Sequence, residues 1–211
     1  MISKKDFYVK RIEYKIAMDI VIEKHYLHRK CPCSYAFGLF HNGSETPVGV
    51  VVYGVSPSST LLKGICGPEE SQNVYELNRL WVEDEVPKNG ESFLISNTLS
   101  LLNKEIIVSF ADTSQQHVGI VYQACNFIYT GLSAKFKDPK VKGLEHQHHA
   151  TYANGLTNKE VIEKFGADNV YFIDRPRKHR YIYFNASKTR KKELMNKLRY
   201  QILPYPKAVQ L

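Results

Sequence analysis

The spacing of apolar positions changes period several times along the chain, and each change predicts an element. Ile12, Ile16 and Ile20, joined by Val21, recur about every four residues. This predicts an amphipathic helix ending near His25. Ser34 to His41 and Pro47 to Val55 read as strands, joined by Asn42-Gly43-Ser44-Glu45. Asn-Gly between two such runs is a strong hairpin signal. Ser56 to Asn73 is rich in Gly, Ser and Pro and reads as a long loop, a candidate lid or binding loop.

The densest pattern runs from Tyr75 to Tyr129 and predicts strand, tight loop, helix, strand, helix, strand. Val74 to Val82 is a strand by composition, and its consecutive Leu80, Trp81 and Val82 suit burial on both faces. Pro87-Lys88-Asn89-Gly90-Glu91-Ser92 turns the chain into a helix carrying Phe93, Ile95, Leu99 and Leu102 as its apolar stripe. Ile106, Ile107, Val108 and Phe110 form a short strand ending at Asp112. A helix from about Gln115 to Ala124 and a strand from Phe127 to Leu132 follow. Further on, Thr157 to Glu160 spells a capping box for a helix ending at Gly166. Val170 to Ile173 and Tyr181 to Phe184 read as strands, and Ser187 to Leu198 as a basic helix.

A chain of 211 residues with 43% hydrophobic content suits one globular domain with a sizeable core. No apolar run approaches the length of a membrane span, and the first residues lack the apolar stretch of a signal peptide. Four cysteines are most simply reduced thiols in an intracellular chain. The net charge of +8 is unevenly placed. Residues 31–120 hold four Lys/Arg against ten acids, whereas residues 175–211 hold eleven against one, Glu193. An acidic body with a basic end suggests an anionic polymer, most often nucleic acid. Arg175, Arg177, Lys178 and Arg180, interleaved with Tyr171, Tyr181, Tyr183, Tyr200 and Tyr205, suit a groove that tracks a phosphate backbone and stacks bases.

Individual positions then suggest chemistry. Arg79 lies in an apolar strand, where a charge needs either a salt-bridge partner or a ligand. Asn89, Gly90 and Ser92 form a glycine-containing turn at a helix N-terminus, a place that suits an anion or serves as an ordinary cap. Asp112 stands at the carboxyl end of a strand, where α/β sheets bind ligands, and would also cap the next helix. The run from His25 through His28, Cys31 and Cys33 has a metal-like look without a common zinc spacing, so a polar rim for His25 and Tyr26 stands beside a metal as a reading.

The segments ELNRLWV, SFADTSQQHVGIVYQACNFIYTG and RKHRYIYF, the His25-Tyr26 pair and the ILPYPK ending resemble the phage Mom-type DNA modification proteins. The resemblance covers most of residues 20–205. It implies a Gcn5-related N-acyltransferase-like fold, a mixed α/β sheet flanked by helices. Along the chain, a catalytic domain over residues 1–165 is expected, with a basic strand-and-helix extension over 166–211 packed on it. The implied activity is transfer of a small acyl or carbamoylmethyl-type group to the N6 amine of adenine in duplex DNA, with the base flipped out. That activity would act against restriction, in the host cytoplasm. Arg79, Ser92, Asp112 and Tyr122 match the family's catalytic positions, and His25-Tyr26 its His-Tyr pair. The mechanism expected for such a transfer has Asp112 accept a proton or hydrogen bond from N6, Tyr122 orient or protonate the donor's leaving group, and Arg79 hold a donor carboxylate or phosphate. An acyl-CoA or related donor and iron are the implied cofactors. The superfamily's pyrophosphate loop is represented only by Lys88 to Ser92. Oligomeric state stays open, a dimer included. Two rival readings are an N-acyltransferase for a protein, tRNA or small-molecule amine, and a DNA-binding protein without catalysis.

Overall fold

The computed structural model describes residues 5–147, 149–153 and 155–207. Its centre is a seven-stranded sheet. The first three strands, β1 (Phe7–Arg11), β2 (Tyr35–His41) and β3 (Pro47–Gly54), run antiparallel, with β4 (Val74–Val82) antiparallel to β3. Parallel pairing joins β4 to β5 (Ile106–Asp112). Beyond β5 the order does not follow the sequence. β9 (Lys178–Phe184) lies between β5 and β6 (Ile128–Leu132), antiparallel to both. Residues 178–184 are therefore an inner strand of the main sheet. Two further strands, β7 (Lys137–Val141) and β8 (Val170–Asp174), form a separate ribbon.

Strand alternation sorts the sheet into two faces. On one face Leu39, Val51, Tyr53, Leu77, Ile107 and Tyr181 pack against α3 (Gly90–Thr98) and α4 (Ile120–Ala124) through Leu94, Ile95 and Tyr122. On the other, α1 (Tyr14–Lys24) packs Ala17, Met18 and Val21 on Val50 and Val52. Beside it, α2 (Ser59–Cys66) and α7 (Lys188–Lys197) bring Ile65, Cys66 and Leu194 onto Val74, Ile106, Val108 and Ile182. The remaining helices, α5 (His149–Ala153) and α6 (Asn158–Phe165), belong to a small satellite core with Val141 and Val161.

Most predicted elements are present, and the differences have local causes. The segment read as a loop from Ser56 to Asn73 holds α2 and a 3-10 turn. Ser58 caps α2 by accepting from the Leu61 N–H at 3.2 Å, and Leu61, Leu62, Ile65 and Cys66 give it an apolar face. The helix read from Gln115 to Ala124 is instead a 3-10 turn, Thr113–Gln115, and a five-residue α4. Gly119 separates them at φ +77, packed so closely on the Tyr181 ring that a Cβ there would lie 2.4 Å from it. In α1 the buried stripe is Ala17, Met18 and Val21 rather than Ile16, which is exposed. The capping box is complete, with Thr157 and Glu160 bonded reciprocally. Among the described residues no helix is long and apolar enough to cross a membrane.

Candidate active site

The candidate site forms where two parallel strands part. Val74 to Leu77 pair with Ile106 to Ser109. Past that point β4 stays with β3 as far as Val82, while β5 stays with β9 as far as Asp112. The strands diverge at their carboxyl ends, and a parallel sheet offers its ligand cleft there. A bulge sits at the divergence. Leu77 pairs with Tyr53 and Arg79 with Val52, so Asn78 is an extra residue in β4. Its amide donates to the Pro32 carbonyl at 2.7 Å, which ties the loop after α1 to the cleft.

Arg79 stands at that bulge with few partners of its own. Its Nη1 donates to the Asn78 carbonyl at 2.6 Å, and its Nε is buried without any hydrogen-bond partner. Burial presses the guanidinium pKa down. A buried donor left unmade costs about 1–3 kcal/mol, so the arrangement calls for an acceptor from outside the chain.

Asp112 is 8% exposed. It caps the 3-10 turn after β5, accepting from the Ser114 N–H at 3.0 Å and the Ser114 hydroxyl at 2.7 Å. Lys178 Nζ lies 3.4 Å away on β9. Burial pushes the carboxyl pKa up, but the two bonds from Ser114 and the Lys178 charge outweigh it and hold it below the ordinary value. Asp112 is thus an ionised and already well-bonded carboxylate.

His25 closes α1 and is buried, its ring 4.4 Å from that of Tyr26. The Tyr26 ring meets His117 edge-on at 6.2 Å. Nδ1 of His25 accepts from the Leu27 N–H at 3.2 Å, so the neutral ring carries its proton on Nε2. Burial, followed by the charge of Arg79, lowers its pKa to about 4. An unfolded chain takes up this proton near the ordinary value of 6.5, so folding stability is full above that pH and falls as pH drops towards 4. Between pH 7 and pH 5 the loss from this ring should be about 2 kcal/mol. Urea unfolding at both pH values checks it: His25→Asn should flatten the slope, and an unchanged slope contradicts the assignment.

Tyr122 approaches from the opposite face of the sheet. It is 7% exposed, packed on Phe127 and Tyr181. Burial raises its pKa to about 12 against the neighbouring Ser109 hydroxyl, so it is a phenol at neutral pH. Ser92 lies in the first turn of α3, where its hydroxyl donates back to the Asn89 carbonyl at 3.1 Å. Asn89 has φ +75 and gives no side-chain cap. A Cβ on Gly90 would lie 2.7 Å from Val86 and 3.2 Å from Val82, so the glycine serves packing of this turn.

The basic candidates are mostly engaged within the chain. Arg175 pairs with Asp138, donating from Nε to both carboxylate oxygens. Arg177 donates to the Ser133 and Leu132 carbonyls, and Arg180 to Thr130 while stacking over Tyr200 at 3.4 Å. Lys178 is the member of this group that reaches the cleft. Two cleft residues were not singled out as site residues from the sequence. His117 is one, read there only as part of a helix. Glu76 is the other: it sits between Tyr75 and Leu77 of the core and reads as a strand polar residue until the bulge is known.

Among the described residues no group of three or more His, Cys, Asp or Glu side chains could hold a metal ion. The side chains of the cleft therefore do not fit an iron centre. The α3 turn carries Glu91 in its first turn, and its glycine is filled by valine side chains rather than open to a ligand. That is a poor fit to a diphosphate.

Comparison with known proteins gives the family. Among solved structures, the ribosomal-protein-S5-alanine acetyltransferase from Vibrio fischeri is 9% identical, with a TM-score of 0.48 over 88% of this chain and 97% of that one. A putative acetyltransferase from Salmonella typhimurium, solved with its cofactor acetyl-CoA, is 10% identical at TM-score 0.48, covering 86% of this chain and 95% of that one. The methylcarbamoylase mom of Escherichia phage Mu is 30% identical over 219 residues, covering 97% of this chain and 86% of its own length. The Mom protein family profile matches residues 6–207. With that profile spanning nearly the whole chain, the chain belongs to the Mom protein family.

Proposed function

We propose that the protein is a transferase that moves a small carbamoylmethyl-type group from an activated donor to the N6 amine of adenine in DNA. The observation that carries this reading is the buried, unpartnered Nε of Arg79 at the parting of β4 and β5, in a cleft that also holds a neutral imidazole, a phenol and a carboxylate. Such a site binds a polar ligand and moves a proton. The similarity to a methylcarbamoylase supports the nature of the transferred group.

The exocyclic amine of adenine is a weak nucleophile because its lone pair is delocalised into the ring. In the transfer, N6 forms a bond to the electrophilic carbon of the donor, the leaving group departs with the bonding electrons, and the N6 proton passes to a carboxylate of the cleft. Tyr122, a phenol at neutral pH, can donate a hydrogen bond or proton to the leaving group, and the His25 Nε2–H can orient the donor. Asp112 holds Lys178 and Ser114 in place at the mouth. The donor is an activated acyl-type compound, and the α3 turn does not make a dedicated diphosphate site for it.

DNA is the partner that suits the basic C-terminal third and the exposed Lys188 and Lys192 of α7. The cleft opens between the parting ends of β4 and β5, so a base of a duplex leaves the stack to enter it. Added bulk on N6 lies in the major groove, where restriction enzymes read adenine. DNA from bacteria expressing the protein should therefore resist enzymes whose sites contain adenine and remain sensitive to those whose sites lack it. Full cleavage at every adenine-containing site would overturn the reading.

A further inference from the structure

Glu76 is the one acidic side chain of β4, and the bulge at Asn78 decides where it points. Positions three apart on a regular strand face opposite ways. With Asn78 extra, Glu76 shares a face with Val74 and Val108, and Arg79 shares the same face with Val52 and Trp81. Two opposite charges thus lie together on one face, half-withdrawn from water, at the point where β4 and β5 part. They do not pair. Arg79 uses Nη1 on the Asn78 carbonyl and leaves Nε with no partner, and Glu76 makes no ion pair among the described residues. A donor without a partner and a carboxylate met by the Ser56 hydroxyl thus share one face without bonding to each other.

We propose that Glu76 and Arg79 grip the amine-bearing edge of the target base, Glu76 accepting the N–H of the exocyclic amine and Arg79 Nε donating to the adjacent ring nitrogen. This rests on the base-modification reading above. The Watson–Crick edge of a flipped adenine offers that pair, the N1 acceptor beside the N6 donor. Asp112 cannot take the Glu76 role as readily, because Ser114 and Lys178 already occupy it. Burial raises the Glu76 pKa against the pull of Ser56, Lys178 and Arg79. A carboxylate less satisfied by its surroundings accepts a proton more readily, so the group that holds N6–H is also placed to receive its proton. Arg79 on this account serves the base rather than an anion of the donor.

The test pairs an atom deleted from the ligand with a side chain deleted from the protein, and reads binding rather than turnover. Thymine-tract single strands carrying one adenine, one purine lacking the amine, or one 1-deazaadenine are titrated by fluorescence anisotropy. Loss of the amine should weaken wild-type binding about tenfold, as for a hydrogen bond to a charged group. Glu76→Met should bind the adenine and purine strands equally, and Arg79→Met should bind the adenine and 1-deazaadenine strands equally. Glu76→Gln, which keeps an acceptor oxygen, should retain part of the discrimination and report that the strand is intact. Equal wild-type binding of adenine and purine strands, or undiminished discrimination by Glu76→Met, would overturn the proposal. Failure of the transfer reading shows separately: no modified nucleoside from a wild type that still discriminates leaves the grip standing and removes the transfer.

Discussion

Replacing Arg79 by methionine should lower transfer by at least about 100-fold while leaving the fold as stable as wild type or more stable. The two effects have one origin. The guanidinium is half-buried, makes a single bond to its own neighbour's carbonyl, and leaves its buried Nε unpaired. Removing one preorganised donor from a transfer site typically costs two to three orders of magnitude in rate. Removing a poorly paired buried charge in favour of an apolar side chain is neutral or stabilising by about 1–4 kcal/mol, less about 1 kcal/mol for the lost bond to Asn78. Urea unfolding and nucleoside analysis on the same protein check both halves. A variant that loses activity because it has lost several kcal/mol of stability would show that Arg79 holds the strand rather than a ligand.

The second large effect is structural and lies at the far end of β9. Glu70 → Ala should destabilise the protein by about 3 kcal/mol at pH 7. Glu70 is buried and accepts from Arg190 Nη2 at 2.6 Å, Lys197 Nζ at 2.5 Å and Asn73 Nδ2 at 2.9 Å, fastening α7 to the body. Without it those cations lose their shared acceptor; the partial exposure of Arg190 and Lys197 keeps the figure at the low end of buried-pair losses. Burial alone would raise the Glu70 pKa, but Arg190 and Lys197 outweigh it and bring it down to about 2 from 4.5. Because the folded value is depressed, this stabilisation is present above pH 4.5 and is lost as pH falls towards 2. The gap between wild type and variant in urea unfolding should therefore narrow at pH 3. A constant gap at both pH values would show that the loss is one of packing.

Local signals explain what the sequence revealed. The β4 strand, the Asn42-Gly43 turn, the capping box at Thr157 and the basic helix α7 all rest on short-range chemistry, and each appears where the pattern puts it. The α3 stripe is only partly so: the helix ends at Thr98, Leu99 and Leu102 lie beyond it, and Leu94 joins Ile95 in the core. The Ser58 cap of α2 was equally local but was masked by surrounding Gly, Ser and Pro. What could not be read was long-range. Nothing local announces that β9 inserts between β5 and β6, and that insertion brings Lys178 to Asp112. The bulge at Asn78 depends on pairing with β3, and it alone puts Glu76 beside Arg79. Arg79 and Asp112 stood out because a charge in an apolar strand and a carboxylate at a strand end are conspicuous. Arg175, Arg177 and Arg180 looked equally available for DNA, yet their partners Asp138, Ser133 and Thr130 come from the preceding strand and ribbon.

The most direct test of the central claim is mass spectrometry of nucleosides from DNA of cells expressing the wild-type chain, with Arg79→Met expressed to the same level alongside. The wild-type sample should contain a new adenine-derived nucleoside, heavier by the mass of a carbamoylmethyl group, and the variant should nearly lack it. An unaltered nucleoside profile from folded wild-type protein, or equal yields of the new nucleoside from both proteins, would contradict it.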